Sequence, residues 1–517
     1  MITTKQQDIF LRDDRERKGA FYTPQIWVEK SQEYLAKTFG ENWQDEYYIW
    51  DCAAGTGNLL VGLTNKNNVW ASTLDEPDVS TMLDYTGHGL NLDKTHIFQF
   101  DFLNDEFLPQ SKGGKLPDSL YKVICDPKKR TKLIIYINPP YAEHGNKRVM
   151  ASGGRDEHKA SVSFSKTKDK YRHLLGSGGR EICTQFFIRV SQELPHAHLA
   201  TFCKLGHITN TNYRLFRKHF NVAFQKGFVV PADTFDNVTG HFPIGFFVWN
   251  FDKESCLKHV TCDVFDKHLQ RMGTKTFYTY DGYEMITRWE RRLCSDNSEI
   301  IGVFHLGRHD FQNTKLVFIE TTWTCDNFVG NITVKNFVPL SICLAVQHCI
   351  DHTWLNDRDQ FLSPNDQWKQ DKEFQMNCLI YTLFHPQNRI KSSEDINHWI
   401  PFTATEVGAK QEFKSTFMSD YLKKHRITCN AAKEVLQAGK ALWTYYHQKI
   451  RENNYWLTDA SLYEIREYFR GRNEKERLKT KSADDLSNAL DADLCSALKF
   501  LAAKIQPKVY EYGFLKK

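Results

Sequence analysis

Four consecutive residues, Asn138, Pro139, Pro140 and Tyr141, have the types and the order needed to hold a planar amino group. The Asn138 side-chain oxygen and the Pro139 carbonyl oxygen are hydrogen-bond acceptors for its two N–H groups. The Tyr141 ring offers a face against which a flat ligand stacks. Because Asn-Pro pairs also mark ordinary turns, a purely structural turn is the alternative for this stretch taken alone.

The element before this tetrapeptide is predicted to be a buried β-strand. Residues 133–137 form an apolar run that is rich in β-branched side chains. The two prolines that follow cannot donate ladder hydrogen bonds, and they push Asn138 toward extended geometry. The tetrapeptide is therefore expected at the carboxyl end of a strand, where α/β sheets bind their ligands.

A second junction of this kind is predicted earlier in the chain. Residues 47–50 indicate a short strand, and residues 51–58 read Asp-Cys-Ala-Ala-Gly-Thr-Gly-Asn before an expected helix. Strand, glycine loop and helix begin a nucleotide-type βαβ unit. Gly55 and Gly57 permit positive φ and a close approach of backbone to ligand. The Gly-x-Gly spacing lacks the third glycine expected for dinucleotides, which favours S-adenosylmethionine over NAD.

A third segment, residues 18–24, reads Lys-Gly-Ala-Phe-Tyr-Thr-Pro, with Thr23 and Pro24 at the predicted cap and first position of a helix. A helix cap with an adjacent aromatic staple is the alternative. In this order the three segments resemble the N6-adenine DNA methyltransferases of restriction–modification systems, over roughly residues 15–250. Cys52 and Ala54 depart from the family's usual Asp-Pro-Ala-Cys-Gly-Ser-Gly loop, but both are small.

The resemblance implies a binding site for S-adenosylmethionine. Asp75 follows a predicted strand over 69–74 and would accept the ribose hydroxyls, although Glu76 is its competitor and a solvated acidic turn the alternative. Asp101 follows a third predicted strand and would bond the adenine amine, with Phe102 packed on the adenine ring. The expected cofactor-binding residues are Phe21, Tyr22, Thr23, Asp51, Ala53, Gly55, Gly57, Asn58, Asp75, Asp101, Phe102 and Asn138.

The expected catalytic residues are Asn138, Pro139, Pro140 and Tyr141. Acceptors at Asn138 and Pro139 would orient the amine of a flipped adenine, and Tyr141 would stack on the base. This chemistry requires neither a metal nor a covalent intermediate. A cysteine nucleophile of the cytosine-C5 kind would need Pro-Cys at this place, where the sequence has Pro-Pro.

Residues 143–180 are predicted to form a mobile basic loop, since nine Lys and Arg residues stand there against four acids among many Gly and Ser. Next to a base pocket, such a loop would grip phosphates around an extruded nucleotide. A solvated insertion is the alternative. The expected DNA-binding residues are Tyr141, Lys147, Arg148, Lys166, Lys168, Lys170 and Arg172.

The predicted fold class is α/β: a Rossmann-like, S-adenosylmethionine-dependent methyltransferase domain with a mostly parallel sheet over residues 1–254. A shift in composition then predicts a mixed α+β domain over 255–425, where the family places its target-recognition domain. Residues 426–517 are predicted to be helical, with a buried leucine stripe that begins at Leu486. Phe242 is expected as a core aromatic, with a place in the base pocket as its alternative.

Composition limits the remaining classes. The chain has 517 residues, 41% hydrophobic residues and a net charge of only +5, so a nucleic-acid surface must be local. Thirteen scattered cysteines and the lack of a long apolar run indicate a reduced, cytoplasmic protein, bacterial and nucleoid-associated if it binds DNA. Cys343, His348, Cys349 and His352 match no familiar zinc spacing, and packing is the preferred interpretation.

The expected activity is a site-specific, adenine-specific DNA methyltransferase acting on double-stranded DNA, with a separate restriction endonuclease or specificity subunit as a further partner. About 17 residues precede the first motif, which predicts a dedicated methyltransferase or a modification subunit rather than a fused nuclease. The alternatives are methylation of cytosine N4, RNA adenine or protein glutamine, and a non-catalytic DNA-binding subunit.

Overall fold

The structure, a computed structural model, describes residues 23–84, 92–141, 165–235, 238, 240–296, 298–322, 329–452 and 457–517. The chain divides into two compact units. The N-terminal unit comprises Met1–Asp281 together with Thr353–Arg358, and the C-terminal unit comprises Gly282–His352 together with Asp359–Lys517.

A nine-stranded sheet organises the N-terminal unit, in the order β3-β2-β1-β4-β5-β7-β6-β8-β9. Seven strands run in the same direction, whereas β7 and β9 are antiparallel to their neighbours. The order of the first seven strands, with β7 inserted antiparallel between β5 and β6, confirms the predicted Rossmann-like methyltransferase fold class. The strands are β1 (Tyr48–Asp51), β2 (Val69–Thr73), β3 (Ile97–Gln99), β4 (Leu133–Ile137), β5 (His198–Lys204), β6 (Ala223–Pro231), β7 (Pro243–Asn250), β8 (His259–Phe265) and β9 (Arg271–Tyr278).

Helices cover both faces of this sheet, which is why all five residues of β4 are buried. Leu133, Ile135 and Ile137 face one apolar core, whereas Ile134 and Tyr136 face the other. The helices are α1 (Gln25–Phe39), α2 (Trp43–Glu46), α3 (Glu76–Asp84), α4 (Asp118–Cys125), α5 (Pro127–Arg130), α6 (Lys166–Lys170), α7 (Arg172–Leu175), α8 (Ile182–Glu193), α9 (Gly206–Thr209) and α10 (Arg214–His219).

The helix expected after the glycine loop is absent: residues 58–60 form a single 3-10 turn, and a second one follows at residues 66–68. Gly62 lies between them at φ +85°, a backbone conformation that glycine adopts readily. The predicted helix over 25–39 forms as α1, although Pro24 rather than Thr23 is its N-cap.

The expected domain boundary after residue 254 does not match the structure. Strands β8 and β9 continue the sheet, because Val260, Cys262 and Val264 alternate along β8 and bury in the same core as β1 and β4. The N-terminal unit therefore extends to Asp281.

The C-terminal unit combines a small sheet with eight helices among its described residues. The sheet order is β12-β10-β11-β13, in which β11 and β12 are antiparallel to β10 and β13 is parallel to β11. Its elements are β10 (Ile300–His305), β11 (Phe318–Glu320), β12 (Val329–Thr333), β13 (Asn388–Arg389), α11 (Ile286–Leu293), α12 (Phe337–His348), α13 (Lys372–Phe384), α14 (Ala404–Val407), α15 (Phe417–Lys424), α16 (Asn430–Glu452), α17 (Leu462–Arg470) and α18 (Asp485–Glu511).

The expected division of this region at residue 425 is also absent, because a single apolar core runs from Ile286 to Leu515. Phe384 of α13, for example, packs edge-on against Trp443 of α16 at 5.9 Å between ring centroids. The predicted leucine stripe on α18 is buried at Leu494, Leu498 and Leu501, whereas Leu486 is exposed. No helix in the described ranges is long and apolar enough to cross a membrane.

Candidate active site

The carboxyl ends of four parallel strands meet at one edge of the sheet in the N-terminal unit. At this edge β1 leads into the glycine loop, β2 into Asp75, β3 into Asp101 and β4 into the tetrapeptide 138–141. Parallel pairing therefore brings together segments that are far apart in the sequence, as the sheet type requires.

Thr23 joins the three motifs. Its hydroxyl accepts a hydrogen bond from Asn138 Nδ2 at 2.9 Å, and its carbonyl oxygen accepts one from Asn58 Nδ2 of the glycine loop. Thr23 is itself buried, whereas Asn58 and Asn138 are partly exposed. The end of the first segment, the glycine loop and the tetrapeptide thus form one connected polar network.

Tyr141 orients Asn138 from the other side. Its hydroxyl donates to Asn138 Oδ1 at 2.7 Å. Burial raises the pKa of Tyr141 well above its ordinary value, so the phenol stays protonated and acts as a donor. An amide oxygen can accept two hydrogen bonds, and the Tyr141 hydroxyl supplies one of them.

The Tyr141 ring is not presented as an open stacking face. It is only 7% exposed and belongs to the apolar core that also contains Phe202 and Phe235. The expected stacking role therefore requires the ring to move, whereas its hydrogen bond to Asn138 is already formed. In the described conformation Tyr141 is a positioning residue for Asn138.

The glycine loop is shaped by its glycines and by a buried carboxylate. Gly55 and Gly57 have φ values of +53° and +82°, which only glycine adopts without strain. Asp51 Oδ1 accepts from the Ala53 N–H at 3.0 Å, and burial raises the pKa of Asp51 to about 8. Asp51 is 1% exposed, so it holds the loop from the protein interior. The side of the loop that faces solvent contains the partly exposed Ala53, Gly55 and Asn58.

Asp101 forms the tight turn after β3. Its Oδ1 accepts from the N–H groups of Leu103 and Asn104, and its Oδ2 accepts from Asn104 Nδ2. A carboxylate has about four acceptor positions, and these bonds use three. The partly exposed Asp101 thus keeps capacity for one further donor, as the expected bond from an adenine amine requires.

Arg189 of α8 fixes this turn from the interior and was missed in the sequence. It is 4% exposed, its Nη2 donates to the Asp105 carbonyl oxygen at 2.6 Å, and its Nη1 donates to the Phe102 carbonyl oxygen. Its guanidinium also lies over the Phe107 ring at 4.4 Å. Its Nε also donates to Glu193 Oε2 on the same helix at 3.1 Å. No sequence signal identifies its contact with the turn, because the two carbonyl partners lie more than 80 residues away.

The expected role of Phe102 does not fit the structure. Its ring is 2% exposed and stacks on Phe186 of α8 at 5.0 Å between centroids, so it has no open face for an adenine ring. Leu74, by contrast, is 55% exposed and stands directly before Asp75 at the same edge. An apolar side chain this exposed at the end of a buried strand is the better surface for a flat base.

The described part of the predicted basic loop is helical. Residues 166–180 form α6, α7 and a 3-10 turn, and Thr167 anchors α6 by two hydrogen bonds to the Leu103 carbonyl oxygen, at 2.7 and 3.1 Å. Lys170 pairs with Glu193 and Arg172 with Asp169. Lys166 is exposed, and Lys168 is partly exposed. Residues 165–180 are therefore anchored to the turn that carries Asp101, rather than forming a loop.

Some predicted site residues lie outside the described residues. These are Phe21 and Tyr22 of the first motif, and Lys147 and Arg148 of the basic segment.

Lys204 is a second residue that sequence analysis missed. It is the last residue of β5, and its Nζ donates to the Tyr141 carbonyl oxygen at 3.1 Å. A lysine that ends an apolar strand next to β4 was the available signal, because its position predicts the same edge of the sheet. Lys204 fixes the chain where it leaves the tetrapeptide.

The side chains at this edge have the types that a nucleoside-containing cofactor such as S-adenosylmethionine requires. A side chain added at Gly55 would meet no atom within 4 Å, so the loop leaves space above it. Asp75 and Asp101 place carboxylates at this edge, and Leu74 places an exposed apolar side chain there. In the described ranges, no three His, Cys, Asp or Glu side chains are grouped so that they could hold a metal ion. Cys343 is buried in the C-terminal core, and His348 Nε2 is hydrogen-bonded to the Val317 carbonyl oxygen at 2.8 Å.

Comparisons with known proteins find similar folds but no sequence family. No protein-family model matches the chain, and no curated protein sequence matches it. Among solved structures, the chain aligns with the DrdV–DNA complex seen by cryo-electron microscopy, at 13% identity and a TM-score of 0.36, over 58% of this chain and 36% of DrdV.

Two further structures come from named organisms. One is a protein assigned as the modification subunit of a type I restriction enzyme from Vibrio vulnificus, at 12% identity and a TM-score of 0.32, over 54% of this chain and 60% of that one. The other is a protein assigned as a class I S-adenosylmethionine-dependent methyltransferase from Listeria monocytogenes, at 12% identity and a TM-score of 0.29, over 47% and 65%. The chain therefore spans less than two thirds of each of these three proteins.

Proposed function

We propose that this chain is an S-adenosylmethionine-dependent DNA methyltransferase that modifies N6 of a flipped adenine in duplex DNA. The observation that carries the proposal is the network at the end of β4, in which Thr23 and Tyr141 hold the Asn138 amide beside the glycine loop. A structural turn would not need a side-chain amide fixed from both sides at the ligand-binding edge of the sheet.

The cofactor is proposed to lie along the glycine loop. Asp75 would accept the ribose hydroxyls, Asp101 the adenine amine, and Leu74 would cover one face of the adenine ring. When bound, S-adenosylmethionine supplies an electrophilic methyl group. Thr23 is hydrogen-bonded both to Asn138 and to Asn58 of the glycine loop. The cofactor and the target base would therefore meet at the end of β4.

The tetrapeptide has the acceptors that an aromatic amine requires. The lone pair of such an amine is delocalised into its ring, which makes it a poor nucleophile. Hydrogen bonds to Asn138 Oδ1 and the Pro139 carbonyl oxygen would hold both N–H groups and favour a pyramidal nitrogen whose lone pair is no longer conjugated with the ring. The same two dipoles would stabilise the positive charge that develops on nitrogen.

Correct orientation of Asn138 is what the surrounding residues supply. With Nδ2 bonded to Thr23, the amide oxygen is directed to the side of Tyr141. The two prolines stiffen the backbone, because each fixes its own φ. Fixing an acceptor before the substrate arrives avoids the cost of ordering it during the reaction.

The first experiment is transfer of labelled methyl from S-adenosylmethionine to unmethylated genomic DNA, followed by nucleoside analysis. Wild type should produce N6-methyladenine. Asn138→Ala should lower the rate by about 10²–10³-fold, as for loss of one preorganised hydrogen-bonding group, while cofactor binding by calorimetry is retained. Asn67→Ala, at an exposed asparagine of the 3-10 turn after the glycine loop, is the matched control.

The other outcomes distinguish the alternatives. Label in N4-methylcytosine would support the same amine-methylation mechanism with cytosine rather than adenine as the target base. Label only in RNA or protein would contradict DNA as the substrate. Cofactor binding without transfer to any acceptor, by wild type with duplex DNA present, would indicate a non-catalytic subunit.

A further inference from the structure

A hairpin with a basic outer face projects from the C-terminal unit between α17 and α18. Residues 471–481 contain five basic and two acidic residues, in a chain whose net charge is only +5. Arg472 and Leu478 form an antiparallel β-bridge that closes the hairpin. This segment lies beyond the stretch expected to read DNA, and the network at the β4 edge does not involve it.

The hairpin is held by its own hydrogen bonds. Asn473 Oδ1 accepts from the N–H groups of Lys475 and Arg477, both at 3.0 Å, and the Asn473 N–H donates to the Arg477 carbonyl oxygen at 2.8 Å. Glu476 takes the left-handed conformation, at φ +55°, that the tight turn requires. The turn is therefore defined rather than a loose charged loop.

Arg472 fixes the base of the hairpin to α17. Its Nε donates to Glu467 Oε1 at 2.7 Å, its Nη1 to the Glu476 carbonyl oxygen at 2.6 Å and its Nη2 to the Tyr463 hydroxyl at 3.3 Å. All the groups that bond Arg472 belong to the hairpin or to the helix before it. Arg472 is thus a structural residue, and the basic character of the outer face comes from the remaining four cations.

The side chains of these four cations are exposed. No ion pair joins Lys475, Arg477, Lys479 or Lys481 to an acid within the part of the chain that the structure describes. Arg477 and Lys479 flank the bridge residue Leu478 in the sequence, and both are exposed. A hairpin whose backbone is already held by its own hydrogen bonds loses little backbone conformational entropy when its side chains bind a polyanion.

We propose that the hairpin 471–481 binds the phosphate backbone of duplex DNA through Lys475, Arg477, Lys479 and Lys481. This inference rests on the proposed function, for which it supplies a second, sequence-independent contact made by the C-terminal unit. Cationic side chains on phosphates release condensed counterions, so they increase affinity for every sequence and make it salt-dependent.

The test compares two fourfold variants with the same loss of charge. The first is Lys475→Ala, Arg477→Ala, Lys479→Ala and Lys481→Ala. The control is Lys423→Ala, Lys424→Ala, Lys499→Ala and Lys504→Ala, at four exposed lysines of α15 and α18. Binding of full-length protein to a fluorescein-labelled DNA duplex of several helical turns is measured by anisotropy over a range of salt concentrations.

The hairpin variant should bind at least about tenfold more weakly at moderate salt, and the slope of log K against log salt should fall by about 0.9 for each phosphate that the protein no longer neutralises. The control should keep the wild-type slope. Unfolding midpoints and cofactor affinity should be unchanged in both variants, which separates weaker DNA binding from a damaged fold.

Three results would overturn the inference. Equal slopes for wild type and the hairpin variant would exclude the hairpin as a phosphate-binding element while leaving methyl transfer intact. An equal loss of DNA affinity in the hairpin variant and in the control would mean that affinity depends only on the net charge of the protein. A loss confined to an RNA probe would assign the surface to RNA. A wild-type protein that neither binds nor methylates duplex DNA would contradict the proposed function itself.

Discussion

In the N-terminal unit, the polar groups at the end of β4 and beside the glycine loop stay at the rim of the sheet, and Asn138 and Asp101 remain partly exposed. In the C-terminal unit, Glu290, Arg466 and Asp491 are buried within a helical core. Glu290 Oε1 accepts from Gln347 Nε2 at 2.8 Å, and Arg466 Nε donates to Asp491 Oδ1 at 2.9 Å.

The comparison separates two uses of polar side chains. A buried charge contributes to folding only if it is paired, and it reaches no ligand because it is shielded from solvent. Polar groups at the carboxyl edge of a parallel sheet are fixed by neighbours but still reachable. Substitutions in the two regions should therefore change different quantities. Those in the C-terminal core should change stability, and those at the edge of the N-terminal sheet should change activity or ligand affinity.

The largest expected effect is on stability. Asp491→Ala leaves Arg466 buried without its carboxylate, and removal of one partner of a buried ion pair costs about 3–5 kcal/mol. We expect this loss in the free energy of unfolding measured in urea, with methyl transfer per folded molecule unchanged. Asp493→Ala, at an exposed aspartate on the same helix, is the control. A loss below about 1 kcal/mol would show that the pair is not an essential part of the core.

Glu290 predicts a pH dependence of stability in the same unit. Burial raises its pKa to about 8 from an ordinary 4.5, so the folded state binds a proton that the unfolded state releases between these values. The free energy of unfolding should therefore fall as pH rises from 4.5 to 8.

Glu290→Gln removes that titration. The variant should lose this part of the slope and exceed wild type in stability near pH 8 by on the order of 1–4 kcal/mol. Urea unfolding across this pH range measures the effect, and Glu434→Gln, at an exposed glutamate of α16, should behave as wild type. Parallel pH curves for wild type and Glu290→Gln would contradict the prediction.

At the rim of the N-terminal unit the expected effect is catalytic. Thr23→Val removes the acceptor for Asn138 Nδ2, so the amide is no longer held toward the substrate. We expect kcat to fall by about tenfold, as for one lost hydrogen bond, with a smaller change in stability than in Asp491→Ala. Thr23→Ser keeps the hydroxyl and should retain most activity. Equal activity of the Val and Ser variants would exclude this bond from catalysis.

The smallest effects are expected from substitutions of Leu74 and Phe102. They test which of the two side chains packs on the adenine ring of S-adenosylmethionine. Leu74→Ala should weaken S-adenosylmethionine binding by about threefold to tenfold, because less apolar surface covers the base. Phe102→Leu should lower stability through poorer core packing, with cofactor affinity nearly unchanged. Calorimetric titration and urea unfolding measure the two quantities, and Leu486→Ala, at an exposed leucine of α18, is the control. Weaker cofactor binding in Phe102→Leu, with unchanged binding in Leu74→Ala, would show that Phe102 belongs to the cofactor site.

The sequence by itself determined the strands that end at the edge with residues 138–141. Strand β4 has the bounds that were predicted, because an apolar run closed by two prolines leaves no other strand end. The glycines at 55 and 57 likewise required positive φ, which the loop shows. Such features depend on local chemistry, so a short stretch of sequence contains the information for them.

The tertiary structure alone decided which side chains meet. The Phe102 ring lies in the core, where it stacks on Phe186 of α8. Arg189 donates a hydrogen bond to the turn after β3, which is more than 80 residues away in the sequence. Strand β8 joins the first sheet by pairing with β6, and β9 pairs with β8, an arrangement that composition does not reveal. Pairings and burial depend on the whole chain, because a residue's neighbours in space are set by the packing of distant elements rather than by its neighbours in sequence.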